Sequence, residues 1–146
     1  MGYGNPARGD DGLGPALVER IDQMALEGVE TRIDYQLCVE DAMDIGLFER
    51  VIFVDASIDA AAPYSHYALA EAEVPTTLDT HSVSPAALVR LARTLFGART
   101  KASILAIRGY AFEPFSESIS AAAVHNLDAA FNYLTQNLRD RFEVEL

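Results

Sequence analysis

The pattern of apolar and polar residues switches repeatedly between the period of a helix and that of a strand. Apolar residues at helical spacing predict four helices, over residues 15–26, 40–48, 85–96 and 118–138. Alternation or short apolar runs predict strands over residues 31–39, 51–54 and 103–107, with a weaker edge or antiparallel strand over 66–74. This alternation predicts an α/β fold, a three-layer sandwich with a twisted, mostly parallel sheet flanked by helices on both faces.

Signals at both ends delimit the third helix most clearly. Ser84 is placed to cap it, Pro85 occupies the first helical position, and Gly97 ends it. Neither a linker nor an internal repeat divides the sequence, so we expect one domain spanning residues 1–146.

A glycine-rich stretch, residues 2–14, precedes the first helix and contains the adjacent carboxylates Asp10 and Asp11. Glycine allows such a loop to bend tightly while it presents polar side chains. We expect Asp10 to cap the first helix, which leaves Asp11 free for another role. A loop of this kind normally follows a strand, yet only Met1 precedes it. The first strand is therefore expected to be missing from the N-terminus, or the sheet to have one strand fewer.

Composition narrows the classes of function. Eleven basic against 22 acidic residues give a net charge of -11, which opposes binding to nucleic acid or to anionic membranes. The single cysteine, Cys38, cannot form an internal disulfide and is interpreted as a packing residue in a strand. The sequence shows neither an apolar run long enough for a membrane span nor a signal peptide, so we expect a cytoplasmic protein.

Three polar side chains are expected at one edge of the sheet. Asp11 lies in the glycine-rich loop, Asp55 ends an apolar strand, and His81 precedes the third helix. Ligands of open α/β sheets bind outside the carboxyl ends of the strands. Two carboxylates and an imidazole suit a divalent transition metal, and three protein ligands leave positions open for substrate or water. Each residue also has an ordinary interpretation, Asp55 in orienting a loop and His81 as a surface residue.

Other chemistries have weaker support. The sequence contains no G-x-G-x-x-G, Walker-type, G-x-S-x-G or H-E-x-x-H motif. A triad of Asp55 and His81 would need an unmarked serine such as Ser57 or Ser82. His66 and His125 have no acidic neighbours at ligand spacing, so they are weaker candidates for a metal site.

One ordered set of motifs covers most of the chain: Gly4-Asn5 followed by Asp10-Asp11-Gly12, then Phe-Val-Asp-Ala at 53–56, Thr80-His81 before a helix, and a turn containing Gly109 before the last helix. With these motifs the chain resembles the maturation endopeptidases of nickel-iron hydrogenases. The resemblance implies a twisted α/β sheet and removal of a C-terminal extension from the hydrogenase large-subunit precursor after nickel insertion. It also implies that Asp11, Asp55 and His81 are the metal ligands.

The resemblance further implies that the nickel arrives with the precursor and that no nucleotide or organic cofactor takes part. Residues 39–42 depart from the Pro-Glu-Leu pattern usual in the family, which puts a role for Glu40 in doubt. Two functions of other classes stay open. The three residues could belong to a non-catalytic module that grips a metallated partner, or to a zinc hydrolase acting on a small substrate.

Overall fold

The computed structural model describes residues 1–69 and 83–143. In these ranges five strands form one sheet: β1 (Gly2–Tyr3), β2 (Ile33–Asp34), β3 (Arg50–Ser57), β4 (Tyr64–Ala68) and β5 (Lys101–Arg108). The helices are α1 (Leu13–Asp22), α2 (Asp41–Ile45), α3 (Pro85–Phe96) and α4 (Ala121–Glu143), and a 3-10 turn, Gly9–Gly12, leads into α1.

The strands lie in the order β2-β1-β3-β5-β4, and only β4 runs antiparallel to its neighbour. This confirms the edge or antiparallel strand that the sequence predicts, although residues 70–74 of the prediction lie outside the described part of the chain. The carboxyl ends of β1, β3 and β5 meet at one edge because these strands are parallel.

Helices cover both faces of the sheet, which confirms the predicted three-layer sandwich. Helices α1 and α4 pack on one face around a buried cluster of Leu13, Leu17, Val18, Ile21, Val54, Leu105, Ile107, Ala123, Leu127, Ala130 and Leu134. On the other face α2 and α3 bury the cluster of Leu37, Ala42, Ile45, Val51, Phe53, Leu88, Val89, Ala92 and Ala102, here called the α2–α3 cluster. Strand β3 supplies side chains to both clusters, which explains its uninterrupted apolar run.

Helix α3 begins and ends where the sequence predicts. The Ser84 hydroxyl accepts a hydrogen bond from the backbone nitrogen of Ala87 at 3.2 Å, and Pro85 opens the helix. Gly97 adopts a left-handed conformation with φ of 64°. These signals are local, so the sequence alone was sufficient to identify them.

The prediction that the strand before the glycine-rich loop is missing was wrong. Residues Gly2 and Tyr3 form β1, which lies between β2 and β3 and pairs in parallel with both. Backbone bonds extend this pairing, since the nitrogen of Val54 donates to the oxygen of Met1 at 2.8 Å. Two residues are too few to show a hydrophobic period, so sequence pattern could not reveal this strand.

Strand β2 is much shorter than the predicted strand over residues 31–39. After Asp34 the chain bends toward α2, because the carboxylate of Asp41 accepts a hydrogen bond from the backbone nitrogen of Cys38 at 2.9 Å. The apparent alternation in this segment therefore belongs to a turn in which Leu37 is buried and Tyr35 is exposed.

Candidate functional site

The structure brings Asp11 and Asp55 together at the carboxyl edge of the sheet. Asp11 belongs to the 3-10 turn that follows β1, and Asp55 lies near the end of β3. The loop between β1 and the turn folds back tightly: Gly4 has φ of 143°, and a Cβ atom there would lie 2.0 Å from the carbonyl oxygen of Asp11. The backbone nitrogen of Asn5 then donates to Asp11 Oδ2 at 2.7 Å, which fixes this carboxylate.

Asp55 lies in surroundings that oppose its negative charge. Its pKa is raised to about 6, chiefly by burial and to a smaller extent by the nearby carboxylate of Asp11. The neighbouring Tyr3 hydroxyl and the backbone of Ala56 act in the opposite direction on this pKa without cancelling the rise. A carboxyl group with a pKa raised by burial and a second carboxylate is typical of a functional site, because a bound cation would relieve both effects.

Tyr3 is a member of this constellation that the sequence did not reveal. Tyr3 and Asp55 directly follow the register pair Gly2 and Val54 on neighbouring parallel strands, and burial followed by the charge of Asp55 raises the pKa of Tyr3 well above its ordinary value. The hydroxyl therefore stays protonated beside the carboxylate. The contact joins positions 52 residues apart in the numbering, so no local motif could have indicated it.

His81, the third expected ligand, lies outside the described residues, as do Thr80 and Ser82. Val83 is the nearest described residue on its C-terminal side, and it packs against the α2–α3 cluster, as Tyr3 does. Within residues 1–69 and 83–143, no group of three or more histidine, cysteine, aspartate or glutamate side chains could hold a metal ion. The assignment of Asp11, Asp55 and His81 as metal ligands therefore stays a prediction.

Asp10 does not cap α1, so that prediction was wrong. Helix α1 has no side-chain cap at its start, and the fully buried carboxylate of Asp10 faces the other end of the chain. It accepts bonds from the backbone nitrogens of Tyr110, Ala111 and Ser120 at 2.7–2.9 Å and from the Ser120 hydroxyl at 2.8 Å. Although burial acts to raise the pKa of Asp10, these hydrogen bonds hold it below the usual value. The Asp10 carboxylate therefore bonds to backbone amides that are distant in the sequence, and not to the start of α1.

The glycine-rich loop is also joined to the loop after β5 through its backbone. Gly9 nitrogen donates to the oxygen of Ser116 at 2.6 Å, and Ser116 nitrogen donates to the oxygen of Ala7 at 3.0 Å. The backbone nitrogen of Gly109, the residue after β5, donates to the oxygen of Ser57 at 3.0 Å. The turn that carries Asp11 is thus connected to the segment between β5 and α4.

The remaining polar candidates have structural explanations. Both ring nitrogens of His66 have partners, Tyr133 Oη at 2.7 Å and Ser103 Oγ at 2.9 Å, and burial lowers its pKa. His125 is exposed on α4, and Glu40 is exposed just before α2. Burial and the carboxylate of Asp41 raise the pKa of the Cys38 thiol, which agrees with a packing role rather than a nucleophilic one.

Comparison with known proteins identifies the fold. No protein-family model and no curated protein matches the sequence. Solved structures do match: the hydrogenase 2 maturation peptidase from a Thaumarchaeota archaeon superposes with a TM-score of 0.67 at 23% identity, covering 94% of each chain. The chain has the fold of the hydrogenase maturation proteases.

Two further structures with this fold agree. The [NiFe] hydrogenase maturation protease HycI from Thermococcus kodakarensis gives a TM-score of 0.71 at 16% identity, covering 94% of this chain and 89% of its own. The hydrogenase maturating endopeptidase HybD from E. coli gives 0.69 at 21% identity, covering 96% and 90%. The structural neighbours thus come from the family that the sequence resembles, and they match nearly the whole of the maturation-protease fold.

Proposed function

We propose that this protein is an endopeptidase that removes the C-terminal extension from the large-subunit precursor of a nickel-iron hydrogenase after nickel has been inserted. The observation that carries the proposal is the pairing of Asp11 with Asp55 at the ligand-binding edge of a hydrogenase maturation protease fold. The motif order that suggested the family includes both residues.

The donor chemistry of the site fits a nickel ion carried by the substrate. Asp11, Asp55 and His81 would hold it through two carboxylates and an imidazole, a mixed set that suits a divalent transition metal. The raised pKa of Asp55 supports this assignment, because a cation between the carboxylates would offset the burial and repulsion that oppose its charge. When bound, the nickel would polarise the scissile carbonyl or activate a water molecule.

In this proposal the protein's own residues bind and orient. The backbone of Asn5 holds Asp11, so this carboxylate would meet the precursor in a fixed position. Docking of the metal-bearing segment on these ligands would place the bond to be cut. A precursor without nickel would lack the group that the site recognises, so recognition would double as a check of metal insertion.

The partner is therefore expected to be a protein, the hydrogenase precursor, and neither nucleic acid nor a membrane. Along residues 1–69 and 83–143, no helix is long and apolar enough to cross a membrane. The net charge of -11 disfavours contact with phosphate backbones. We infer a cytoplasmic site of action, where the unpaired Cys38 would stay reduced.

The test is mass spectrometry of a precursor's C-terminus after incubation with the protein, with and without nickel. We expect cleavage by the wild type only with nickel-loaded precursor, and loss of cleavage in Asp55→Asn and His81→Ala. Asp59→Asn and His125→Ala change the same residue types at exposed positions outside the site and should leave cleavage intact. Undiminished cleavage by Asp55→Asn and His81→Ala would contradict the proposal.

The same assay separates the two other functions. A non-catalytic module would bind nickel-loaded precursor without shortening it. A zinc hydrolase would purify with tightly bound zinc and act on small substrates in the absence of any precursor.

A further inference from the structure

Phe115 is an aromatic residue that lies outside both cores of the protein. It belongs to the loop between β5 and α4, it is 96% exposed, and its backbone φ is 63°. It follows Pro114 in a turn, at a position where a positive φ favours glycine or asparagine. A bulky residue in this left-handed conformation costs free energy of folding. Neither packing nor backbone geometry therefore accounts for a phenylalanine at this position.

The loop that carries Phe115 is held in place on both sides of the ring. The next residue, Ser116, bridges to the glycine-rich loop, because its nitrogen donates to the oxygen of Ala7 and its oxygen accepts from the nitrogen of Gly9. On the other side, the Arg8 guanidinium donates to the oxygen of Phe112 at 3.3 Å. A ring presented by such a fixed loop loses little conformational freedom when a partner binds it.

The same bonds connect Phe115 to the candidate site. Residues 7–9, which pair with Ser116, belong to the loop that carries Asp11, and the backbone nitrogen of Asp11 donates to the oxygen of Arg8 at 3.3 Å. The loop of Phe115 also follows the carboxyl end of β5, the parallel neighbour of the strand that carries Asp55. The exposed ring therefore lies at the same edge of the sheet as the two carboxylates.

The charges around Phe115 indicate the chemistry of its partner. Glu113 and Glu117, two residues before and after it, are both exposed, and the whole chain has a net charge of -11. Arg8 is the basic residue that bonds to this loop. An acidic border opposes contact with a second copy of this chain and favours a segment that carries lysine or arginine beside an apolar side chain.

We propose that Phe115 is a docking residue for the precursor, whose ring packs against an apolar side chain that has basic residues beside it. The inference rests on the proposed function, because the partner is the same substrate. Phe115 contacts the precursor away from the bond to be cut, so it contributes binding that is equal in the ground state and the transition state. Aromatic residues presented in this way commonly dominate the energetics of an interface.

The kinetic test compares Phe115→Ala with Leu47→Ala, which shortens another apolar side chain, 80% exposed and just after α2. Cleavage of nickel-loaded precursor by Phe115→Ala should show a KM raised about tenfold and a kcat within twofold of wild type, because the buried area of the ring is lost in both states. Leu47→Ala should change neither constant. A KM within twofold of wild type in Phe115→Ala, or an equal rise in both variants, would overturn the inference.

Thermal unfolding separates docking from a structural role of the ring. Phe115→Gly removes the ring and adopts the positive φ readily, so it should unfold at no lower temperature than wild type while its KM rises as in Phe115→Ala. Unfolding of both variants below wild type would show that the ring stabilises the fold, which would overturn the inference. A wild-type dimer in sedimentation that becomes a monomer in Phe115→Ala would assign the ring to self-association, with the same consequence.

Failure of the proposed function has a different signature. In a calorimetric titration, wild type would then bind nickel-loaded precursor about ten times more tightly than Phe115→Ala does and leave it uncut. Equal binding of the precursor by both proteins would overturn the inference whether or not cleavage occurred.

Discussion

The buried carboxylate of Asp10 and the backbone nitrogen of Ser120 lie 2.7 Å apart, although 110 residues separate them in the chain. The second oxygen of this carboxylate lies 2.7 Å from the nitrogen of Tyr110. One side chain therefore holds the glycine-rich loop, the turn after β5 and the start of α4 together. Because Asp11 is its immediate neighbour, the position of the candidate site depends on this buried group.

We expect Asp10→Asn to lower the free energy of unfolding by about 3 kcal/mol, because an amide cannot accept all the hydrogen bonds that reach this buried carboxylate. Hydrogen bonds hold the pKa of Asp10 below its ordinary value despite burial. Its stabilising contribution is therefore fully present above the unfolded-state pKa of about 3.9 and is lost as the pH falls through the folded-state pKa.

Urea unfolding of Asp10→Asn and wild type at neutral pH and near pH 3 measures both effects. The exposed Asp59→Asn is the control and should cost little. A difference between wild type and Asp10→Asn that did not shrink in acid would contradict the role assigned to the charged carboxylate.

Asp55→Asn should stabilise the metal-free protein at neutral pH while it abolishes precursor cleavage. The pKa of Asp55 is raised from 3.8 to about 6, chiefly by burial, which corresponds to at most about 3 kcal/mol of destabilisation once the group is charged. This cost appears as the pH rises from about 4 to above 6 and is constant at higher pH. Thermal unfolding at pH 4 and pH 7.5 should therefore show an advantage of the variant that grows with pH. An equal difference in stability at both pH values would mean that the folded state does not disfavour the charged form of Asp55.

Gly4 and Gly97 offer a matched pair for the geometry of the Asp11 loop. Both have positive φ values, 143° and 64°, but a Cβ at Gly4 would lie 2.0 Å from the oxygen of Asp11, whereas nothing lies within 4 Å of one at Gly97. Gly97→Ala should cost about 1 kcal/mol from its backbone conformation alone and leave activity unchanged. Gly4→Ala should cost more than about 2 kcal/mol and reduce cleavage, because the Asp11 turn must move. Equal losses of stability and activity in the two variants would argue against this close approach.

Arg32 is expected to stabilise the fold mainly through Asp41, one of its three acidic partners. It lies 2.8 Å from Asp41 Oδ1 and also pairs with Asp34 and Asp44, but only Asp41 is fully buried. Arg32→Ala should cost about 2 kcal/mol, because a buried carboxylate loses its cation. Asp44→Asn removes only a partly exposed partner and should cost less than about 1 kcal/mol. Chemical denaturation of both variants in low and high salt checks this, and equal costs would contradict it.

Local signals predicted the parts of the fold that local interactions determine. The ends of α3 follow from Ser84, Pro85 and Gly97, and the buried run of β3 follows from its apolar residues on both faces. Predictions failed where distant contacts decide. Asp10 could cap a neighbouring helix, but the amides of residues 110–120 reach it in the folded chain, and β1 exists only through pairing with β2 and β3.

The candidate site was predictable in its charges and not in its hydrogen bonds. Asp11 and Asp55 followed from a topological rule that places the carboxyl ends of parallel strands at one edge. The position of Tyr3 beside Asp55 depends on strand register, because a shift of one residue would turn its side chain to the other face. Sequence pattern does not specify that register, so it could not distinguish Tyr3 from the other residues of the glycine-rich loop.

The enclosed ring of His66 gives the chain a simple spectroscopic property. Of three histidines, His66 has both ring nitrogens engaged by Tyr133 and Ser103. Replacing His125 by glutamine would leave two imidazole signals, and the engaged one would be identified by its loss in His66→Gln. Any other imidazole resonance that responds to added Ni²⁺ would then belong to His81. His81, the predicted ligand, could then be followed through its own imidazole resonance.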